Sequence, residues 1–185
     1  MHSDKAYIHT GIERNLMPAD MNIPLREGVT AIIAPDKGAL LRATQFRDTF
    51  YPNADLITCL KHRNPQTGWL SRYEFPPSVK PGHHIVVDDI CDGGSTFNLL
   101  AQGFTAAEGS SNSTLELFVS HGIFSAGLDN IDPLFSHITT TDSFCQLKPN
   151  ERLTILPLQS LFWRIISNTW SRVKYPNISE TAGDK

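Results

Sequence analysis

Apolar and polar positions fall in blocks along this chain, and the period within each block changes. Val29-Thr30-Ala31-Ile32-Ile33-Ala34 is an apolar run of strand length, rich in β-branched side chains and followed by the turn residues Pro35-Asp36-Lys37-Gly38. Over residues 39–50 the apolar positions Leu40, Ala43, Phe46 and Phe50 recur at three- and four-residue intervals, with Arg42, Arg47 and Asp48 between them, which predicts an amphipathic helix. Residues 54–60 predict a second strand, the polar stretch 61–68 a loop, and residues 70–75 a returning hairpin strand. Pro76-Pro77 and Pro81-Gly82 then break the chain. His84-Ile85-Val86-Val87-Asp88 is apolar until its last residue, as a strand covered on both faces reads. A helix is predicted over 96–107, strands over 114–119, 135–140 and 153–156, and a closing helix over 158–167 with Leu161, Phe162, Ile165 and Ile166 on one face. Alternating strands and helices of this kind predict an α/β fold, an open and mostly parallel sheet flanked by helices. In such sheets ligands gather at the carboxyl ends of the strands, so the residues standing there carry the functional information.

Composition narrows the picture without changing it. The chain has 185 residues, 40% of them hydrophobic and 19% charged, which suits one ordinary domain with a sizeable core. Its 16 basic and 19 acidic side chains leave a net charge of −3, which argues against a general electrostatic grip on nucleic acid. No apolar run approaches the roughly 18 residues of a membrane span, and residues 1–12 contain no apolar core of a secretory leader. Cys59, Cys91 and Cys145 are odd in number, far apart and without zinc spacing. The expectation is a reduced, cytoplasmic protein with neither a membrane nor a nucleic-acid partner.

The most informative stretch runs from His84 to Thr96. A buried strand delivers Asp88 and Asp89 at its mouth, then Asp92, then Gly93-Gly94, then Ser95 and Thr96 opening a helix. Paired glycines let the backbone turn tightly and bring N–H groups close to an anion. The helix N-terminus adds partial positive charge, and the two hydroxyls add donors. Carboxylates beside a phosphate cradle repel a bare phosphate, but they suit the hydroxyls of a sugar or a divalent cation. A phosphorylated sugar with Mg²⁺ satisfies both halves. The plainer alternative is a strand followed by a helix cap, with Ser95 or Thr96 capping and the aspartates solvated.

The stretch Val86-Val87-Asp88-Asp89-Ile90-Cys91-Asp92-Gly93-Gly94-Ser95-Thr96 resembles the phosphoribosyl-binding motif of the type I phosphoribosyltransferases, whose fold the ribose-phosphate pyrophosphokinases share. Three further segments, in the same order along the chain, resemble the pyrophosphokinase branch. They are Ala34-Pro35-Asp36-Lys37-Gly38-Ala39 with Arg42-Ala43, Cys59-Leu60-Lys61-His62-Arg63, and Ser120-His121-Gly122-Ile123-Phe124-Ser125 followed by Thr139-Thr140-Thr141-Asp142-Ser143. The resemblance implies that Asp92, Gly93, Gly94, Ser95 and Thr96 hold the 5-phosphate of ribose 5-phosphate, while Asp88 and Asp89 accept from its 2- and 3-hydroxyls. It implies that Lys61 and Arg63 stabilise the transferring β-phosphoryl group of ATP, that Asp36 helps hold Mg²⁺, and that His121 lies toward the adenine. Met1-His2-Ser3-Asp4 resembles the family's segment near its domain junction, where the histidine at the position of His2 lies by ATP and the metal.

The division implied is a lead-in over 1–28, a phosphoribosyltransferase-like domain over 29–167 and a polar tail over 168–185. The resemblance covers only the C-terminal half of the pyrophosphokinases. It therefore implies either a homo-oligomer or a partner that supplies the other half. The activity implied is diphosphate transfer from ATP to ribose 5-phosphate with Mg²⁺. The alternatives are a phosphoribosyltransferase consuming phosphoribosyl pyrophosphate and a non-catalytic sugar-phosphate-binding subunit.

Overall fold

Neighbouring residues on one strand bury into opposite layers, and this sets the architecture. Ile32 packs with Ile85, Val87 and Phe118 on one side of the sheet. Ile33, one residue on, packs with Val86, Leu117 and Val119 on the other. Successive side chains of a strand point to opposite faces, so a strand that is apolar at every position has to be covered twice. Helices supply both covers in the computed structural model, which describes residues 26–63, 66 and 70–159.

The described elements are β1 (Val29–Ala34), α1 (Leu40–Phe50), β2 (Asp55–Thr58), β3 (Leu60–Arg63), β4 (Leu70–Glu74), β5 (His83–Cys91), α2 (Ser95–Ala106), β6 (Thr114–Gly122), β7 (His137–Thr141) and β8 (Leu153–Leu156). Six strands form one sheet in the order β2-β1-β5-β6-β7-β8, and every pairing in it is parallel. α1 brings Ala43 and Phe46 to the face of Ile32 and Val87. α2 brings Phe97, Leu100, Ala101 and Phe104 to the face of Ile33 and Val86. From β1 the chain moves outward to β2, then returns to the other side of β1 as β5. The strand order therefore reverses between β1 and β5, the point at which an open α/β sheet leaves a crevice beyond its carboxyl ends.

The predicted fold class holds, with four differences in the elements. β5 runs through Cys91 rather than stopping at Asp88, because β6 pairs with it as far as Gly122. Asp88 and Asp89 consequently stand on the last turns of a paired strand, where the ladder fixes their direction. The strand expected over 54–60 ends at Thr58, where Cys59 makes one last amide bond to the Ala34 carbonyl (2.9 Å). The stretch expected as a loop begins instead as β3, paired antiparallel with β4 as a separate two-stranded sheet. Lys61, His62 and Arg63 satisfy their backbone groups in that hairpin, which overrides their polar composition. β6 likewise extends past Val119 and takes His121 into the sheet. Among the described residues no helix is long and apolar enough to cross a membrane. The lead-in up to residue 25, the closing helix from residue 160 and the tail lie outside the described residues.

Candidate functional site

Four pieces of chain meet beyond the carboxyl ends of β1, β2 and β5. They are the turn after β1, the start of the β3–β4 hairpin, the end of β5 and the first turn of α2. Between them is a cavity of about 280 Å³ whose walls include Lys61, Asp88, Asp92, Gly93, Gly94, Ser95 and Thr96. Seven of the predicted site residues are thus brought together from two distant segments. Ile90 and Phe97 complete the lining.

The glycine turn is built as an anion cradle requires. Gly94 is the N-cap of α2 with φ +79°, a conformation that L side chains rarely adopt, and a Cβ there would stand 2.3 Å from Ile131 Cδ1. Ile131 is fully buried, so the turn rests on a fixed floor. At Gly93 a Cβ would meet nothing within 4 Å, which leaves that position opening onto the cavity. The plainer reading of the hydroxyls as caps does not hold: α2 has no side-chain cap and no acidic residue in its first turn. In that turn the Phe97 and Asn98 amides donate to the Gly94 carbonyl (3.0 Å each), and the residues just before them, Gly93 to Thr96, line the cavity.

Asp88 and Asp89 are bridged by one guanidinium. Arg42 Nη1 lies 2.9 Å from Asp88 Oδ1 and Arg42 Nη2 lies 3.0 Å from Asp89 Oδ2. Arg42 projects from α1 across the switch point, and its side chain and that of Asp88 are only 18% and 13% exposed. Burial pushes the Asp88 carboxyl up to about 7. The neighbouring Asp89 charge adds to this, against the opposing pull of the Asp89 amide and Arg42. Asp88 therefore holds a proton more tightly than an exposed aspartate does.

Asp36 closes the turn after β1. Its Oδ1 accepts from the Ala39 amide (3.0 Å), and its Oδ2 pairs with Lys61 Nζ. Burial alone would raise the Asp36 pKa, but Lys61 and the Ala39 and Gly38 amides hold it below the usual carboxylate range. Burial would likewise lower Lys61, and Asp36 together with Tyr73 more than offsets this, so the ammonium is held charged. Among the described residues no three His, Cys, Asp or Glu side chains converge as a metal site. Both Asp36 oxygens are engaged, so a Mg²⁺ fits there only as an ion carried mainly by phosphate oxygens, with Lys61 moved off the carboxylate.

Two buried thiols flank the site. Burial pushes Cys59 and Cys91 up to about 12, assisted at Cys59 by Asp36 and at Cys91 by Asp92 and Asp88. Neutral thiols of this kind are packing residues, not nucleophiles. His121 stands on β6 in register with Ile90. It shares a 2.7 Å hydrogen bond with Ser143 Oγ, and that hydroxyl donates to the Ser120 carbonyl (3.2 Å). It does not line the cavity described above. His2 and the Arg63 side chain lie outside the described residues.

Sequence reasoning did not single out Arg42 or Tyr73 as site residues. An arginine among the apolar positions of α1 was a signal for the first. For Tyr73 there was only its place opposite Lys61 once the hairpin is drawn.

No family model matches the chain. Over 143 residues it is 26% identical to a ribose-phosphate pyrophosphokinase of Hyphomonas neptunium (strain ATCC 15444), a match that takes in 73% of this chain and 43% of that protein. The chain thus spans less than half the length of that relative. The phosphoribosylpyrophosphate synthetase from Mycobacterium smegmatis superposes with a TM-score of 0.61 at 18% identity, over 77% of this chain and 45% of that one. An APRTase from Giardia lamblia, solved with 9-deazaadenine, superposes with a TM-score of 0.51 at 11% identity, over 84% of this chain and 83% of that one. The domain has the fold common to phosphoribosylpyrophosphate synthetase and the type I phosphoribosyltransferases, and in sequence the chain is similar to part of a ribose-phosphate pyrophosphokinase.

Proposed function

We propose that this chain carries the ribose 5-phosphate site of a diphosphate-transferring enzyme, and that it takes part in transfer from ATP to ribose 5-phosphate to give phosphoribosyl pyrophosphate and AMP. The observation that carries this reading is the meeting of an uncapped glycine turn, a buried carboxylate and a charged lysine around one cavity. The 5-phosphate sits on the N–H groups and hydroxyls of Gly93 to Thr96, where helix charge and donors favour it. Asp88 and Asp89, aligned by Arg42, accept from the ribose 2- and 3-hydroxyls. The anomeric hydroxyl then points away from the turn, toward the hairpin.

Its oxygen attacks the β-phosphorus of ATP, the bond from that phosphorus to the α-phosphate oxygen breaks, and AMP leaves. Such a transfer needs cations over the moving phosphoryl group more than it needs covalent help. Lys61, with Arg63 two residues on, supplies them. Lys61 rests on Asp36 and exchanges that partner for phosphate, which frees Asp36 toward a Mg²⁺. A Mg²⁺ held there would supply charge neutralisation of the triphosphate. The nucleotide's other contacts come from outside the described residues or from a partner chain, consistent with the span of the match.

A second reading is favoured by one observation. The chain covers 83% of the Giardia APRTase but only 45% of the synthetase. On that reading the same cradle holds phosphoribosyl pyrophosphate, and a base displaces its pyrophosphate. One experiment separates the two. The purified chain, alone and with the amino-terminal half of a full-length synthetase, is incubated with ribose 5-phosphate, ATP and Mg²⁺ and resolved by anion exchange. AMP and phosphoribosyl pyrophosphate in equal amounts support the first reading. Their absence, with pyrophosphate release from phosphoribosyl pyrophosphate and a purine, supports the second.

A further inference from the structure

Asp88 and Asp89 are consecutive residues of β5. Side chains at consecutive strand positions point to opposite faces, and two carboxylates placed close together repel. Nothing in the strand itself therefore turns both of them to one ligand. Arg42 does. Its Nη1 donates to Asp88 Oδ1 (2.9 Å) and its Nη2 reaches Asp89 Oδ2 (3.0 Å), two nitrogens of one planar fork on two separate carboxylates. The Asp89 amide also donates to Asp88 Oδ1 (2.9 Å). These bonds engage Asp88 Oδ1 and Asp89 Oδ2, and the second oxygen of each carboxylate is the one a ligand would meet.

The fork is itself held. The chain enters α1 through a turn in which the Ala39 amide donates to the Asp36 side chain (3.0 Å), and Ala43, next to Arg42, is fully buried on the sheet. Arg42 thus leaves the helix at a fixed point, with most of its side chain covered. A guanidinium already offsets the charge of the pair, so a ligand that meets these carboxylates needs hydroxyl donors rather than a further positive charge. Vicinal hydroxyls on one face of a sugar ring supply two such donors side by side. We propose that Arg42 is a positioning residue that makes the two carboxylates a clamp for a cis-diol, and so sets the preference of the site for ribose 5-phosphate over its 2-deoxy counterpart. This rests on the sugar-phosphate reading of the cavity and adds to it the determinant of which sugar is taken.

The test is Arg42→Lys in the full chain, titrated calorimetrically with ribose 5-phosphate and with 2-deoxyribose 5-phosphate. Lysine keeps a positive charge beside the carboxylates but is a point charge that lacks the planar fork. The unsubstituted chain is expected to bind ribose 5-phosphate about tenfold or more tighter than the deoxy sugar, the worth of one hydrogen bond at a charged group. In Arg42→Lys that ratio falls below about threefold, while affinity for the deoxy sugar, carried by its phosphate on the helix turn, stays within about twofold. A ratio kept at the parent's value overturns the proposal, since charge alone then suffices. An equal loss for both sugars overturns it too, because a merely structural role would act on both. A second measurement needs no substitution. With both Nη groups bonded the guanidinium rotates slowly, so the Arg42 Nη nitrogens are expected as two separate nitrogen-15 NMR signals, with and without ribose 5-phosphate. One averaged signal overturns the clamp. If the unsubstituted chain binds neither sugar, the reading of the cavity fails and the proposal with it; if it binds both equally, that reading stands and the proposal alone is overturned.

Discussion

Asp88 gives the sharpest test of the electrostatics, because stability and binding should move in opposite directions. Its carboxyl is pushed from the ordinary aspartate value of 3.8 up to about 7 by burial and by the neighbouring charge of Asp89. A native state that holds its proton more tightly than the unfolded chain loses stability as pH rises between those two values, and the loss is complete above the higher one. At roughly 1.36 kcal/mol per pH unit, ionised Asp88 costs the fold about 4 kcal/mol at pH 8. Asparagine has the same shape, keeps an oxygen toward Arg42 and carries no charge. Asp88→Asn is therefore expected to melt higher than the parent at pH 8 by on the order of 10 °C, with the difference closing near pH 4. The same substitution removes an acceptor for the ribose hydroxyls, so ribose 5-phosphate binding should weaken about tenfold. The assay is a thermal melt at half-unit steps from pH 4 to 8.5, paired with calorimetric titration at pH 8. A variant that is less stable than the parent at pH 8, or more stable but unimpaired in binding, refutes the reasoning.

Three further outcomes follow from particular contacts. Gly94→Ala forces an alanine to φ +79° against Ile131 and should destabilise by about 2–3 kcal/mol, with loss of sugar-phosphate binding; Gly93→Ala meets no protein atom and should change the melting temperature little while weakening the same binding. Lys61→Ala should leave ribose 5-phosphate affinity within about twofold and cut turnover about a hundredfold or more, and abolished binding in a calorimetric titration would mean that the roles of hairpin and cradle are assigned wrongly. At the opposite end of the sheet Glu116 is buried against Arg26 (3.0 Å) and His83 (3.3 Å). Burial opposes its ionisation, but these partners hold its pKa below the ordinary value. Its stabilisation is present above about pH 4.5 and lost as pH falls further, so urea unfolding of Glu116→Gln should show a deficit of about 1–3 kcal/mol at pH 7 that shrinks toward pH 3.

What was legible in the sequence was the part written in local periodicity. Ile32-Ile33 and Ile85-Val86-Val87 are apolar at consecutive positions, which requires cover on both faces, and the structure supplies α1 and α2 on opposite sides. The glycine turn was legible too, since two glycines between a buried strand and a helix leave few other uses. The hairpin was not. Lys61, His62 and Arg63 read as a solvated loop because pairing with β4 is a contact over sequence distance, invisible to a local pattern. The extension of β5 through Cys91 was missed for the same reason, since β6 carries the ladder that lengthens it. Arg42 shows the limit most clearly. Its helix was predicted, but the reach of its guanidinium to two aspartates some 46 residues away depends on strand order, which periodicity does not encode.

The central claim is that a sugar phosphate lies at the switch point with its phosphate on the first turn of α2. A crystal structure of the chain grown with ribose 5-phosphate tests it directly. The account predicts phosphate oxygens at about 3 Å from the N–H groups between Gly93 and Thr96, with the 2- and 3-hydroxyls on Asp88 and Asp89. A ribose 5-phosphate bound elsewhere on the molecule, or bound here with its phosphate toward Lys61 and its hydroxyls toward the glycine turn, would contradict it.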